Sequence, residues 1–322
     1  MIVPPAPLRL AVPASTSNLG PGYDVLGLAL DRRLTVVWHP EHTPLRVVFG
    51  GALAGLDPAR DLVHRTLAAA LDVDPVELGG VLEVESDIPV ARGLGSSAAA
   101  RTAGEILARA LRAPALVRVD PAPGPARVTP SAREALLGAV ARAEGHPDNA
   151  VPALVGGFVA ASLDDGVVHW TPLPFSPSVG MAYAAPGVEV RTDEARRVLP
   201  EHVPHADAVA NGAHLTILLA GLARADGDRI AWGLRDRLHV PWRWRLVPRA
   251  DDAAEAARSE GAWGVTLSGS GSGLLAFTPP DRAAAVAAAM DGVFAGVDAP
   301  GRRWAFPVAR ALVGATVVGD DV

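Results

Sequence analysis

The spacing of apolar residues divides the chain into short strands and alanine-rich helices that intermix from end to end. Strands are predicted at 9–13, 33–38, 45–49 and 81–86, the last (VLEVES) alternating as a half-buried strand does. Helical patterns occupy 62–71, 96–112 and 132–144, the second beginning directly after Gly95. Ser131, with Glu134 three residues on, reads as a capping box for the third. Residues 14–23, full of Ser, Asn, Gly and Pro, and the proline-rich 119–130 read as loops. Beyond Pro152 strands are predicted at 155–162, 167–170, 179–184, 265–267 and 274–277. Helices are predicted at 206–225, 251–261 and 281–290, and 309–318 reads as a helix running into a strand. Without regular βαβ alternation this is an α+β pattern.

Composition narrows the chemistry. A chain of 322 residues suits two domains, and the pattern places them at 1–161 and 162–322. With 49% apolar and 20% charged residues the chain is a folded one, and a net charge of -6 gives no general attraction to nucleic acid or an anionic membrane. Residues 166–188 and 262–280 lack Asp, Glu and Arg, but prolines in one and glycine and serine in the other exclude an unbroken spanning helix. The N-terminus, MIVPPAPLRL, lacks the apolar run of a signal peptide, so a cytoplasmic protein is expected. There is no cysteine, which removes thiolate nucleophiles, thiolate metal sites and disulfides. There is also no lysine: all 29 basic residues are arginine, so neither a Walker A loop nor a protein-kinase site can operate.

One segment nevertheless reads as a phosphate cradle. PVARGLGSSAA, residues 89–99, follows a predicted strand and opens a predicted helix. Gly93 and Gly95 let the backbone approach an anion, Ser96 and Ser97 add hydroxyls, and the first helical turn supplies free amides and a favourable dipole. A tight turn at a helix start explains the same residues without a ligand. The whole string, with its flanking strand and helix, closely resembles the ATP-binding motif of the GHMP small-molecule kinases.

Three further segments carry the resemblance along nearly the whole chain. VPASTSNLGPGYDVLGLAL (12–30) looks like the signature of the homoserine-kinase branch, EGHPDNAVPALVGGF (144–158) is the second motif, and GAWGVTLSGSGSGLLAF (261–277) resembles the third, glycine-rich one. The resemblance implies a two-domain fold, with a ribosomal-protein-like β/α N-terminal domain and a ferredoxin-like α+β C-terminal domain. It also implies ATP and L-homoserine as substrates and a homodimer. ATP would lie on Pro89, Val90, Ala91, Arg92, Gly93, Leu94, Gly95, Ser96, Ser97, Ala98 and Ala99. Asn18, Asp24, His146, Asp148 and Asn149 would line the homoserine pocket. A carboxylate calls for arginine's planar fork; Arg196 and Arg243 stand in family-like contexts, with Arg197 and Arg245 as close rivals. Mg²⁺ wants hard oxygens, for which Ser97 and Glu144 are the choices. Asp24, Arg196 and Arg243 would hold the hydroxyl in line with the γ-phosphate, with Asp148 as a hypothetical base. Another small carboxylate alcohol, or a non-catalytic sensor, remains an open alternative.

Three positions depart from the family pattern. Tyr23 replaces phenylalanine and needs a partner for its hydroxyl. Asp61 stands where asparagine is expected near the adenine. Ser272 replaces a proline, which is expected to loosen the third motif.

Overall fold

A computed structural model describes residues 1–57, 61–113, 117–118, 127–128 and 130–318. The first half runs β1 (Leu8–Asn18), β2 (Gly22–Pro44), β3 (Arg46–Gly51), α1 (Leu62–Leu71), β4 (Gly79–Ser86) and α2 (Ser96–Arg112). A two-residue ladder of β5 (Val117–Arg118) and β6 (Arg127–Val128) precedes α3 (Pro130–Glu144), α4 (Ala150–Val155), β7 (Phe158–Asp164) and β8 (Val167–Pro172). The second half runs β9 (Gly180–Ala185), α5 (Thr192–Arg197), α6 (His205–Arg224), α7 (Gly227–Gly233), α8 (Val240–Arg243) and α9 (Ala250–Ser259). It closes with β10 (Gly264–Leu267), β11 (Leu274–Thr278), α10 (Ala283–Phe294), β12 (Trp304–Val308) and β13 (Thr316–Val318).

The larger sheet has seven strands, ordered β13-β1-β2-β4-β3, with β7 and β8 branching from the front end of β2. The smaller is antiparallel, ordered β10-β11-β9-β12. Its chain order, strand–helices–strand–strand–helix–strand, is the ferredoxin-like split βαβ. The α+β expectation therefore holds. The sheets hand over between Pro172 and Gly180, while residue 161 lies inside β7, and β13 brings the chain back to the first sheet. One apolar core joins the two sheets, from Leu10 and Leu28 through Ile106 to Tyr183 and Phe277. A second core lies under the other face of the small sheet, where Ala182, Ala184 and Leu274 meet Met290 and Phe294. Burying a leucine or phenylalanine side chain is worth about 1.5–3 kcal/mol, so α10 is held by its apolar face rather than by a cap.

Four readings of the pattern are corrected. Residues 14–18 are not loop: β1 continues through Asn18, pairing Ser15 with Ala29, Thr16 with Leu28 and Ser17 with Gly27. Polar composition concealed a strand whose side chains are buried and satisfied by other loops. Residues 309–315 form no helix, because their backbone groups bond elsewhere. Asp31 donates to the Ala309 carbonyl at 2.9 Å, Ala311 donates to that of Ala29 at 3.0 Å, and Ala315 to that of Ala153 at 2.9 Å. Helix α3 starts at Pro130, so Ser131 lies within its first turn instead of capping it. Ser272 does not loosen its loop: it is fully buried, and its hydroxyl donates to the Val188 carbonyl. Most of 119–130, read as a surface loop, lies outside the described residues.

The stretches 166–188 and 262–280 run as strands β8 and β9, and β10 and β11. Among the described residues, α6 alone is long and apolar enough to cross a membrane; it packs against α7 and buries Asn211 and His214.

Candidate active site

A cleft of about 640 Å³ runs between the two sheets, bordered by the loop before α2, the end of β1, the start of β2, and α5. Its centre is the N-terminus of α2. Gly95, in the left-handed conformation, precedes the helix, and no side chain caps it. The first-turn amides are therefore free to meet an anion. Gly93 has φ +73°, and a Cβ there would lie 1.8 Å from the carbonyl oxygen of Ser268 in the third motif. At Gly95 the Cβ would meet the Ser15 hydroxyl at 2.1 Å. Ser268 also donates its hydroxyl to the Gly93 carbonyl at 2.7 Å and shares a bond of 2.9 Å with Thr16. The polar end of β1 is thus the floor to which both glycine loops are fastened.

Of residues 89–99, Val90, Ala91, Gly93, Leu94, Gly95, Ser96 and Ser97 border the cleft. Pro89, Arg92, Ala98 and Ala99 are buried away from it. Arg92 points backward: its side chain is 4% exposed, its Nη1 lies 3.7 Å from the Glu189 carboxylate, and its carbonyl accepts the Tyr183 hydroxyl at 2.7 Å. Its place is to anchor the loop to β9. One end of the cleft is apolar, lined by Leu34, Phe49, Leu53, Leu56 and Val84, a surface fit for a flat heteroaromatic base. Asp61 borders this end, 3% exposed, and caps α1 by accepting the amides of Val63 at 2.9 Å and His64 at 3.3 Å. Burial raises its pKa above the usual carboxylate value, while those amides pull it down.

At the other end the charged residues converge. Arg196 forms a two-pronged ion pair with Asp24, 3.0 Å on each prong, and donates to the Tyr23 hydroxyl at 2.8 Å. That last bond is the partner the tyrosine requires. Arg243, 2% exposed, donates its Nε to the Ala195 carbonyl at 3.0 Å and stands over the Tyr23 ring, 5.0 Å from its centroid. The rivals are elsewhere: Arg197 is 73% exposed and paired with Asp193, and Arg245 is exposed. Asn18 braces the pocket, its carbonyl accepting the Asp24 amide at 2.9 Å and its amide donating to the Gly269 carbonyl at 2.8 Å. Asn149 is likewise engaged, accepting from Ser15 and donating to Ser17, each at 2.9 Å.

His146 bonds through Nδ1 to the buried carboxylate of Asp148. Burial by itself disfavours the imidazolium, but the bond and charge of Asp148, joined by Asp24 and Glu144, outweigh it and hold the His146 pKa above its ordinary 6.5. The ligand atoms of Asp24, His146 and Asp148 lie within 4.8 Å of one another. Across the α2 N-terminus the Ser97 hydroxyl donates to Glu144 at 2.5 Å, and Arg101 pairs with the same carboxylate at 2.6 Å. A hydroxyl and a carboxylate in contact at the mouth of the phosphate cradle form the hard-oxygen donor set that Mg²⁺ accepts.

Sequence reasoning missed the apolar end, Tyr23 as an organiser, and His239, whose ring stacks on Tyr23 with centroids 5.0 Å apart. Only the spacing of His239, which precedes the short α8, and Arg243, which ends it four residues on, offered a signal for the last.

A bare helix N-terminus between glycine loops, an apolar end and a charged recess in one cleft suit a small-molecule kinase. Residues 61–157 match the GHMP kinases N terminal domain, and 243–296 match GHMP kinases C terminal. A homoserine kinase of Parasynechococcus marenigrum is 39% identical over 293 residues, covering 87% of this chain and 86% of that one. A second, from a Synechococcus strain, is 38% identical over 289 residues, covering 88% and 89%. The crystal structure of homoserine kinase from Cytophaga hutchinsonii superposes with a TM-score of 0.78 at 26% identity over 99% of both chains. L. major mevalonate kinase, in complex with R-mevalonate, shares the fold at a TM-score of 0.66 and 14% identity. This chain belongs to the homoserine kinase branch of the GHMP kinase family.

Proposed function

We propose that the protein transfers the γ-phosphoryl group of ATP to the side-chain hydroxyl of L-homoserine, giving O-phospho-L-homoserine on the route to threonine. The observation that carries the reading is the Arg196–Asp24 ion pair beside Arg243, at the foot of the phosphate cradle. Homoserine is a zwitterion. Its carboxylate replaces Asp24 as partner of Arg196, with Arg243 alongside, and its ammonium replaces Arg196 as partner of Asp24. The exchange conserves charge, so neither group is left unpaired in the cleft. The side-chain hydroxyl then points towards Asp148 and the α2 N-terminus.

Phosphoryl transfer is mainly positioning and charge neutralisation. The α2 amides and Ser96 hold the transferring phosphate, while Asp24 and the two arginines orient the acceptor. Ser97 and Glu144 would hold Mg²⁺, which would supply positive charge to offset that of the phosphates when bound. Glu144→Ala should then raise the Mg²⁺ concentration for half-maximal rate about tenfold or more, read from a metal titration at saturating ATP. An unchanged titration would remove Glu144 from the metal site.

Asp148 is the candidate base, within the same recess and oriented by His146. Asp148→Asn should lower kcat by about 10²-fold or more, the usual range for a general base. If kcat held while the homoserine KM rose, Asp148 would be a binding group only. The activity itself is tested by ADP release with ATP, Mg²⁺ and a panel of homoserine, serine, threonine, mevalonate and shikimate. Turnover of another member with homoserine inert would overturn the reading.

A further inference from the structure

His239 lies outside every ligand contact proposed above, yet it is completely buried and every polar atom of its ring is committed. Nε2 stands 2.9 Å from the Gly20 carbonyl, a group that can only accept, so this nitrogen carries the proton. Nδ1 stands 3.3 Å from Nη1 of Arg243, a group that can only donate, so this nitrogen is bare. The two neighbours together admit one form of the ring, the neutral Nε2–H tautomer. Its backbone is pinned as well: the Asp236 carboxylate accepts the amides of His239 and Val240, both at 2.7 Å. One face of the ring rests on Tyr23, the residue that also meets Arg196.

Arg243 is consequently held on three sides. Ala195 takes its Nε, His239 takes one N–H of Nη1, and the Tyr23 ring lies beneath the guanidinium. What remains for a ligand is the edge bordering the cleft. A flexible arginine would lose rotamer entropy on clamping a carboxylate, whereas one already fixed does not.

We propose that His239 is a positioning residue for the substrate carboxylate, holding the Arg243 guanidinium through Nδ1 while Nε2 anchors the ring to Gly20, in the turn between the strands that carry Asn18 and Asp24. The same side chain thereby sets the distance between the carboxylate-binding arginine of the C-terminal half and the ammonium-binding aspartate of the N-terminal half. This inference rests on the homoserine reading, and specifically on Arg243 meeting the carboxylate.

Two near-isosteric substitutions separate the ring's two bonds. Asparagine places an acceptor where Nδ1 lies and has nothing to offer Gly20. Glutamine reaches Gly20 and abandons Arg243. His239→Gln should raise the homoserine KM about 10- to 100-fold, the cost of a lost bond to a charged group, while the KM for ATP stays put. His239→Asn should keep a homoserine KM about tenfold below that of the glutamine variant. Equal KM values, or a worse one for asparagine, would mean that the anchor to Gly20 is what matters, and would overturn the proposal. Arg243→Met is the independent control: an unchanged homoserine kcat/KM there would show that the substrate reading beneath it has failed, whereas a large loss there with equal His239 variants condemns the positioning role alone.

Discussion

Arg196→Ala is expected to lower kcat/KM for homoserine by about 10²- to 10³-fold while the KM for ATP changes little. Two charge-assisted bonds to the substrate carboxylate would be lost, about 3–4 kcal/mol at the transition state. Folding should be nearly unaffected. The Arg196 and Asp24 side chains are 39% and 32% exposed, and a pair so placed contributes about 1 kcal/mol or less to stability. Steady-state kinetics against homoserine, paired with a thermal melt, separates the two effects. Arg196→Lys should not restore activity, because an ammonium cannot reproduce the two-pronged geometry that Arg196 already shows towards Asp24. A variant with lysine at wild-type rate would mean that a point charge suffices, and the carboxylate assignment would fall.

Replacing Gly93 by alanine should strike the nucleotide side as hard. The position has φ +73°, a region that costs an L-residue about 1–3 kcal/mol. The added carbon would lie 1.8 Å from the Ser268 carbonyl and 3.2 Å from that of Gly271, and backbone does not swing aside as a side chain does. The two glycine loops must part, carrying the α2 amides out of register with the phosphates. A rise in the KM for ATP of about 10²-fold, with a lower melting temperature, is expected. Gly166→Ala is the control: φ is +78° there, but nothing lies within 4 Å of the new carbon. It carries the backbone cost alone and should leave the KM for ATP unchanged. Equal effects at both positions would show that backbone conformation, not loop-to-loop packing, explains the loss.

Much of this architecture was legible because local signals agreed with the tertiary outcome. Helices α1 and α2 begin and end where the pattern placed them, since turn residues punctuate both and an apolar face runs along each. Strands β4, β8, β10 and β11 fall within a residue or two of their predicted runs. The elements that escaped were those whose stability is not local. β1 reads as a polar loop after Pro13, but its Ser15, Thr16, Ser17 and Asn18 find partners in Asn149, Ser268 and Gly269, more than a hundred residues away. The tail at 309–315 has helical composition, yet its amides and carbonyls complete β2 and the end of α4.

The site divides along the same line. At 89–99, residue type at a strand–helix junction is enough to suggest an anion cradle of backbone amides and hydroxyls, with no lysine in the chain to help it. Sequence also singled out Arg196 and Arg243, and the fold brings both to the cleft. Which of the paired arginines faces the cleft, that Arg92 turns its back on it, and that one neutral histidine orients Arg243 were decided by packing. Orientation about a helix axis and the tautomer of a buried ring depend on partners brought together from both halves of the chain, and only the folded structure supplies those partners.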